Sequence, residues 1–207
     1  FDDAVAASEA LDIALTKRGK HDGEDIAMCG VPHHAAENYL LTLIRKGFRV
    51  AVCEQLESPE EAKKRGYKSV VRRDVVRLVT PGTLTEDSLL EARRNNFLAA
   101  YVEIRDVAGL AWLDMSTGDF RVMELSRVRL GPELARLSPS EIVFADAQFN
   151  ELAPLAEDQG VAVSELGKAS FDSEGAQKRL CTFFEVETLD AFGQFSRAEV
   201  SALGAVL

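Results

Sequence analysis

Cysteine is scarce in this chain: three residues in 207, Cys29, Cys53 and Cys181, odd in number, widely spaced and without a C-x-x-C arrangement. That argues against a disulfide framework and for a reduced, cytoplasmic setting. Cys29 with His33 and His34 is one ligand short of a zinc set, so a small buried thiol beside two exposed imidazoles is the simpler reading. No apolar run approaches the roughly 20 residues of a membrane span, and no secretory leader is visible. There is no internal repeat and no low-complexity tract. No G-x-x-x-x-G-K-[ST] stretch occurs, so nothing cradles a nucleotide phosphate in that way. Residue 1 is phenylalanine in a stretch that already reads as helix, so the chain is expected to start inside a domain.

What is present is an ordinary globular composition, 46% hydrophobic and 28% charged, long enough for one or two domains with real cores. The net charge of −10 is unevenly spread. Residues 1–84 balance 13 Lys and Arg against 13 Asp and Glu, whereas residues 85–207 carry 11 against 21. Within the first part, residues 63–77 hold Lys63, Lys64, Arg65, Lys68, Arg72, Arg73 and Arg77 against Asp74 alone. A basic segment on a neutral half, followed by an acidic half, suggests two partners, one anionic and one not.

Apolar spacing predicts a first helix from residue 2 to about 16, with Val5, Leu11 and Leu15 on one face and acids near its start. Residues 19–23 break it, and 26–28 read as a short strand. Gly30 and Pro32 set a tight entry to a second helix over 35–46, stopped by Gly47. Phe48, Val50 and Val52 alternate as a strand. Ser58-Pro59-Glu60-Glu61 is a capping box with proline at the first helical position. The valine- and arginine-rich residues 69–80 read as a strand ended by Pro81-Gly82-Thr83. The domain boundary is placed near 84, giving domains 1–84 and 85–207. In the second domain three strands (97–106, 109–116 and 119–125) are joined by turns at Ala108-Gly109 and Thr117-Gly118. Helix 132–137, strand 141–145, helix 149–158, strand 161–166 and further helix come after them. The fold class is mixed α/β: a small N-terminal α/β domain with a mixed sheet, then a meander followed by αβαβ, the order of an RNase H-like domain.

Several side chains carry chemistry. Lys17 and Arg18, placed at the end of the first helix, either complement its dipole or contact phosphate, where arginine offers a planar fork and lysine a point charge. Arg72 and Arg73 lie in the arginine-rich strand, either a solvated face or a surface that tracks a duplex backbone. His33 and His34 sit where the N–H groups of a new helix point outward, a natural site for phosphate. Met28 is either a core filler or an apolar wedge into a minor groove.

Leu15-Thr16-Lys17-Arg18-Gly19, then Gly30-Val31-Pro32-His33-His34-Ala35-Ala36-Glu37-Asn38-Tyr39, Ala51-Val52-Cys53-Glu54-Gln55 and Val79-Thr80-Pro81-Gly82-Thr83 together resemble the N-terminal mismatch-binding domain of the bacterial MutS family. Trp112-Leu113-Asp114-Met115-Ser116-Thr117-Gly118-Asp119-Phe120 resembles the opening hairpin of that family's connector domain, so the resemblance covers essentially the whole chain. It implies DNA mismatch repair, with mismatched duplex DNA as the partner of the first domain and a MutL-like protein as the partner of the connector. It implies a supporting DNA surface at Lys17, Arg18, Met28, His33, Arg72 and Arg73. It also implies a homodimeric parent whose ATP and Mg²⁺ belong to a C-terminal ATPase portion. This chain itself is expected to hold no cofactor and to be no enzyme.

The family's wedge is a phenylalanine and a glutamate spaced Phe-x-Glu: the ring stacks on the mispaired base and the acid hydrogen-bonds its edge. The resemblance puts that pair just upstream of the segment matching Phe1-Asp2-Asp3-Ala4, so the first domain is expected to be truncated at its start. Residues 197–207 read as cut mid-helix. A Phe-x-Glu that occurs within the second domain, Phe183-Phe184-Glu185, reads as core packing. Two other readings remain in play. The acidic connector acts mainly through protein contacts. Or the RNase H-like order supports a two-metal nuclease, with carboxylates drawn from Glu103 or Asp106, Glu133 and Asp146. Asp114 and Asp119 are placed like turn-capping residues.

Overall fold

The computed structural model describes residues 2–66, 69–85 and 95–207. Its chain divides into two compact units, Phe1–Pro81 and Gly82–Leu207. Both mix helix and strand.

The first unit opens with α1 (Asp2–Leu11), shorter than the expected helix to residue 16. Asp12 turns left-handed at φ 53°, and the Ile13 N–H closes back on the Ser8 carbonyl at 3.0 Å. The chain then enters an antiparallel hairpin of β1 (Thr16–His21) and β2 (Glu24–Met28). Lys17 and Arg18 therefore lie on a strand and not at a helix end. Asp22 and Gly23 form the two-residue turn, both at positive φ (51° and 87°), the geometry whose twist matches that of the strands. Residues 19–23, expected as a break, are thus the end of one strand and the turn itself. A short 3-10 turn at His33–Ala35 leads into α2 (Ala36–Arg45). Gly47 at φ 84° ends α2. Its N–H bonds Ile44 O at 2.9 Å and that of Phe48 bonds Leu43 O at 3.0 Å, satisfying two of the last carbonyls.

The second ribbon pairs β3 (Val50–Gln55) with β4 (Arg73–Val79), antiparallel, with α3 (Pro59–Arg65) between them. The predicted capping box is present: Ser58 N–H donates to Glu61 Oε2 at 2.8 Å and Glu61 N–H to Ser58 Oγ at 3.2 Å. β4 begins at Arg73, four residues later than expected, because the Arg72 N–H is taken by the Glu57 carboxylate at 2.8 Å. α1 packs on β2 and α2, and α2 packs on β3, so the helices join the two ribbons. Ile44 and Ala62 are buried, while Leu56, Val70, Val75, Val76 and Leu78 are exposed.

The second unit is built on a five-stranded sheet of order β7-β6-β5-β8-β9. β5 (Phe97–Ile104), β6 (Val107–Asp114) and β7 (Phe120–Leu125) form the antiparallel meander. β8 (Glu141–Ala145) runs parallel to β5, and β9 (Ala162–Leu166) runs parallel to β8. α4 (Leu130–Leu137) and α5 (Asp146–Glu157) cover one face, burying Tyr101, Leu110, Ile142 and Phe144. α6 (Ser173–Phe183) and α7 (Arg197–Val206) cover the other, burying Leu98, Ala100, Ala111 and Val143. Burial on both faces explains why β5 and β8 read as apolar runs and not as alternation.

The first tight turn of the meander differs from expectation. It lies at Arg105-Asp106, with Arg105 at φ 59°, and Ala108 and Gly109 sit inside β6. Gly109 is there for a different reason: a Cβ would stand 2.4 Å from the Ala198 carbonyl oxygen, so α7 rests directly on the strand backbone.

Candidate nucleic-acid interface

The hairpin gathers three of the six expected contact residues. Thr16 pairs with Met28 and Lys17 with Ala27 across the ribbon, and Thr16 Oγ1 donates to Met28 O at 2.8 Å. Met28 is 36% exposed, at the strand's end and not in a core. Lys17 is held by Asp25 at 2.7 Å, so part of its charge is already answered. Arg18 has no such partner among the described residues, and neither has Lys20, a cation that reading residues 19–23 as a break overlooked. Gly19, left-handed at φ 72°, lies in the irregularity between Lys17 and Lys20 that offsets the register there. The Asp22-Gly23 pair was the available signal for the hairpin and hence for Lys20.

His33 stands five positions beyond Met28, exposed, in the 3-10 turn ahead of α2. The N-cap of α2 is Ala35, which offers no side-chain acceptor to the helix's first N–H groups. A helix start of this kind favours an anion.

Arg72 and Arg73 belong to the other ribbon. The Glu57 carboxylate ties this region together, accepting from the Arg65 guanidinium and from the Arg72 N–H. Those hydrogen bonds, the Arg65 one foremost, hold the Glu57 carboxyl below the usual carboxylate range. Arg65 also donates to Val70 O at 3.0 Å. The side chains of Lys63, Lys64, Arg72 and Arg73 remain exposed, and Lys68 lies outside the described residues. The structure thus brings Lys17, Arg18 and Met28 onto one hairpin, His33 onto the lead of α2, and Arg72 with Arg73 onto a second ribbon.

In the second unit the acids named for a nuclease are mostly engaged. Glu133 accepts from Arg129 at 2.8 Å and Arg136 at 2.7 Å, and the Arg136 guanidinium lies over the Trp112 ring at 5.8 Å. Arg136, then Arg129, hold the Glu133 carboxyl low against its burial. Burial pushes the Asp114 carboxyl up, but donors from Ser116 and Thr117 outweigh it and leave it lowered, as befits a turn-capping group. Tyr101 is raised by burial and by its hydrogen bond to Glu103. Among the described residues no three His, Cys, Asp or Glu side chains group so as to hold a metal ion.

Phe183-Phe184-Glu185 is not core packing. α6 ends at Phe183, Glu185 turns left-handed at φ 54°, and the aromatic pair is carried outward. Phe183 is 62% exposed and Phe192 53%. Phe184 sits between them with ring centroids at 5.0 and 5.2 Å, and 6.4 Å from Phe120.

Residues 1–88 match the family described as MutS domain I, and residues 96–207 match MutS domain II. Among curated relatives, the DNA mismatch repair protein MutS of Ruegeria pomeroyi is 71% identical over 208 residues, covering 100% of this chain and 24% of that protein. MutS of Ruegeria sp. is 72% identical with the same coverage. MutS of Paracoccus denitrificans is 66% identical over 207 residues, covering 100% of this chain and 23% of its own length. The chain therefore spans about a quarter of the length of these relatives. Among solved structures, Thermus thermophilus RuvC in complex with a Holliday junction substrate aligns with 53% of this chain and 90% of that one. Its 13% identity and TM-score of 0.39 are too low to support an argument.

Proposed function

The chain belongs to the MutS family of DNA mismatch repair proteins, carrying its domains I and II, and from that premise we propose that residues 1–84 dock on mismatched duplex DNA while residues 85–207 serve as a connector. The observation that carries this reading is the basic strand β1, with Arg18 and Lys20 unanswered by any carboxylate among the described residues. Lys17, Arg18, His33, Arg72 and Arg73 contact phosphates, and Met28 meets the groove. Such contacts set affinity and register and carry no base information of their own. ATP and Mg²⁺ belong to other parts of a homodimeric, cytoplasmic parent. No helix among the described residues is long and apolar enough to cross a membrane.

The test is an amide-resolved NMR titration with a short mismatched duplex, at about 50 mM and about 200 mM salt. Shifts in residues 16–34 and 63–77 that fade with salt are expected. An absence of shifts at both salts overturns the docking surface. Because phosphate contacts are blind to sequence, matched and mismatched duplexes are expected to bind this chain alike. A preference of more than about tenfold for the mismatch contradicts that account.

A second reading concerns the connector. Its 21 acids against 11 bases over residues 85–207 disfavour DNA, and its exposed Phe183, Phe184 and Phe192 offer an apolar anchor. We infer a MutL-like protein as its partner. Surface plasmon resonance with a MutL homologue is expected to show binding that Phe184→Ala and Phe192→Ala weaken. Equal binding by these variants counts against the patch.

A further inference from the structure

At the carboxyl ends of β5 and β8 the second unit opens a cleft of about 360 Å³. Its position is set by topology. β8 passes into α5 on one face of the sheet, while its neighbour β9 passes through a 3-10 turn, Lys168–Phe171, into α6 on the other. Where two adjacent parallel strands send their helices to opposite faces, the chain parts and leaves a crevice, and open α/β sheets bind ligands in such crevices. The volume falls in the lower part of the roughly 300–1,000 Å³ range of small-molecule pockets.

The polar groups of the cleft are unequally engaged. Glu103 accepts from the Tyr101 hydroxyl at 2.8 Å and faces Arg127 at 3.7 Å. Asp146 accepts from Ala147 N–H at 2.7 Å, and Asp172 caps α6 by accepting from Gly175 N–H at 2.7 Å. Gln148 is occupied at both ends by the Glu103 backbone, at 3.2 and 3.1 Å. The cations are freer. Lys168 has no hydrogen-bond or ion-pair partner among the described residues. Arg197 donates its Nε to Ser173 Oγ at 3.0 Å, and its terminal N–H groups have no partner among the described residues. One helical turn on, Ser201 also lines the cleft. It is fully buried, and its hydroxyl is the one buried side-chain polar atom without a hydrogen-bond partner among the described residues. Buried hydroxyls are normally satisfied by protein, water or a bound molecule, so that of Ser201 is available to what enters the cleft.

We propose that this cleft binds a small organic anion, a phosphate or carboxylate head on a compact apolar body. Lys168 and Arg197 meet the head, the Ser201 hydroxyl donates to the ligand, and Val102, Ile104 and Phe171 contact the body. Glu103 is answered by Arg127, and Lys168 and Arg197 have free terminal N–H groups to offer an anionic head, although the unit as a whole is acidic. The site draws every residue from the second unit, whereas the proposed docking residues belong to the first.

The experiment is amide-resolved NMR of this chain, titrated at constant ionic strength with phenyl phosphate, benzoate and uncharged benzamide. Saturable shifts at residues 102–104, 145–148, 168–173 and 197–201 are expected with at least one of the two anions and not with benzamide. Saturation by phenyl phosphate alone assigns the phosphate source, and saturation by benzoate alone the carboxylate. The double variant Lys168→Gln, Arg197→Gln removes two exposed cations and is expected to weaken binding about tenfold or more. Ser201→Ala removes only the hydroxyl and is expected to weaken it about threefold. Thermal midpoints close to that of the parent chain verify that the variants fold. No saturable shift with either anion, or an affinity unchanged in either variant, overturns the site.

Discussion

In the second unit a five-stranded sheet is covered by helices on both faces, and Tyr101, Leu110, Ile142 and Phe144 are fully enclosed. In the first unit two separate two-stranded ribbons leave Val75, Val76 and Leu78 exposed, and buried Ile44 and Ala62 stand among few enclosed apolar side chains. Two-stranded ribbons are marginal by themselves and open at low free-energy cost. A surface that must follow a deformable partner gains from that compliance. A unit that must hold a fixed shape gains from a core sealed on both sides. Charge divides along the same line, neutral with a basic stretch on one side and acidic on the other.

That contrast can be broken at its densest point first. Leu110→Ala empties a fully enclosed position and is expected to cost the second unit about 2–5 kcal/mol, read as a shift of its urea transition. Hydrogen exchange in residues 16–28 should not change. If both units shift together, they are not separate in stability. Gly109→Ala comes next, with an expected cost of about 1–3 kcal/mol from overpacking against α7. Were Gly109 a turn residue in open space, alanine would be tolerated, and unchanged stability would refute the close packing. In the first unit Ser58→Ala removes the capping box of α3 and is expected to lose about 1 kcal/mol, read as faster exchange at residues 59–65.

A smaller effect concerns the hairpin. Arg18→Gln is expected to flatten the log-affinity against log-salt line for duplex DNA by about 0.9, the value of one phosphate contact. Lys17→Gln should change it less, since Asp25 already answers that charge. Equal slopes for both variants would remove the distinction. The smallest expected effect is one of pH. Arg136 and Arg129 depress the Glu133 carboxyl in the folded state, so its contribution is complete above the ordinary value of 4.5 and is lost as pH falls through the lowered one. Glu133→Gln should therefore flatten the stability of the second unit in that acidic window, and an unchanged slope would deny the linkage.

Much of the second unit is legible in the sequence because burial on both faces leaves a plain signal: residues 97–104 and 141–145 are apolar runs of strand length. The capping box at Ser58 and the stop at Gly47 are legible for the same kind of reason, since each is a local motif with its own hydrogen bonds. Gly109 misleads because glycine serves two needs, positive φ and close approach, and sequence does not say which. Here the positive φ falls to Arg105. Leu11 and Leu15 continue a helical spacing and so place Lys17 and Arg18 at a helix end, yet Asp12 stops the helix and the Asp22-Gly23 turn folds residues 16–28 into a hairpin. Phe183 and Phe184 look like core because aromatic residues usually are; the left-handed Glu185 that carries them outward is a tertiary fact. Lys168, Arg197 and Ser201 come from separate segments, and no spacing rule joins them.

The middle strand of the second unit, β5, is the first of its sheet to be synthesised, and α7, which packs across β5, β6 and β7, is the last helix. At about 5–20 residues per second, roughly 5–20 s separate the two on the ribosome. Through that interval Leu98, Ala100 and Ala111 face outward on one side of the nascent meander, and until β8 arrives the β5 edge has no neighbour on its far side. The order of manufacture thus runs from the centre of this sheet outward, and its central strand waits longest for cover.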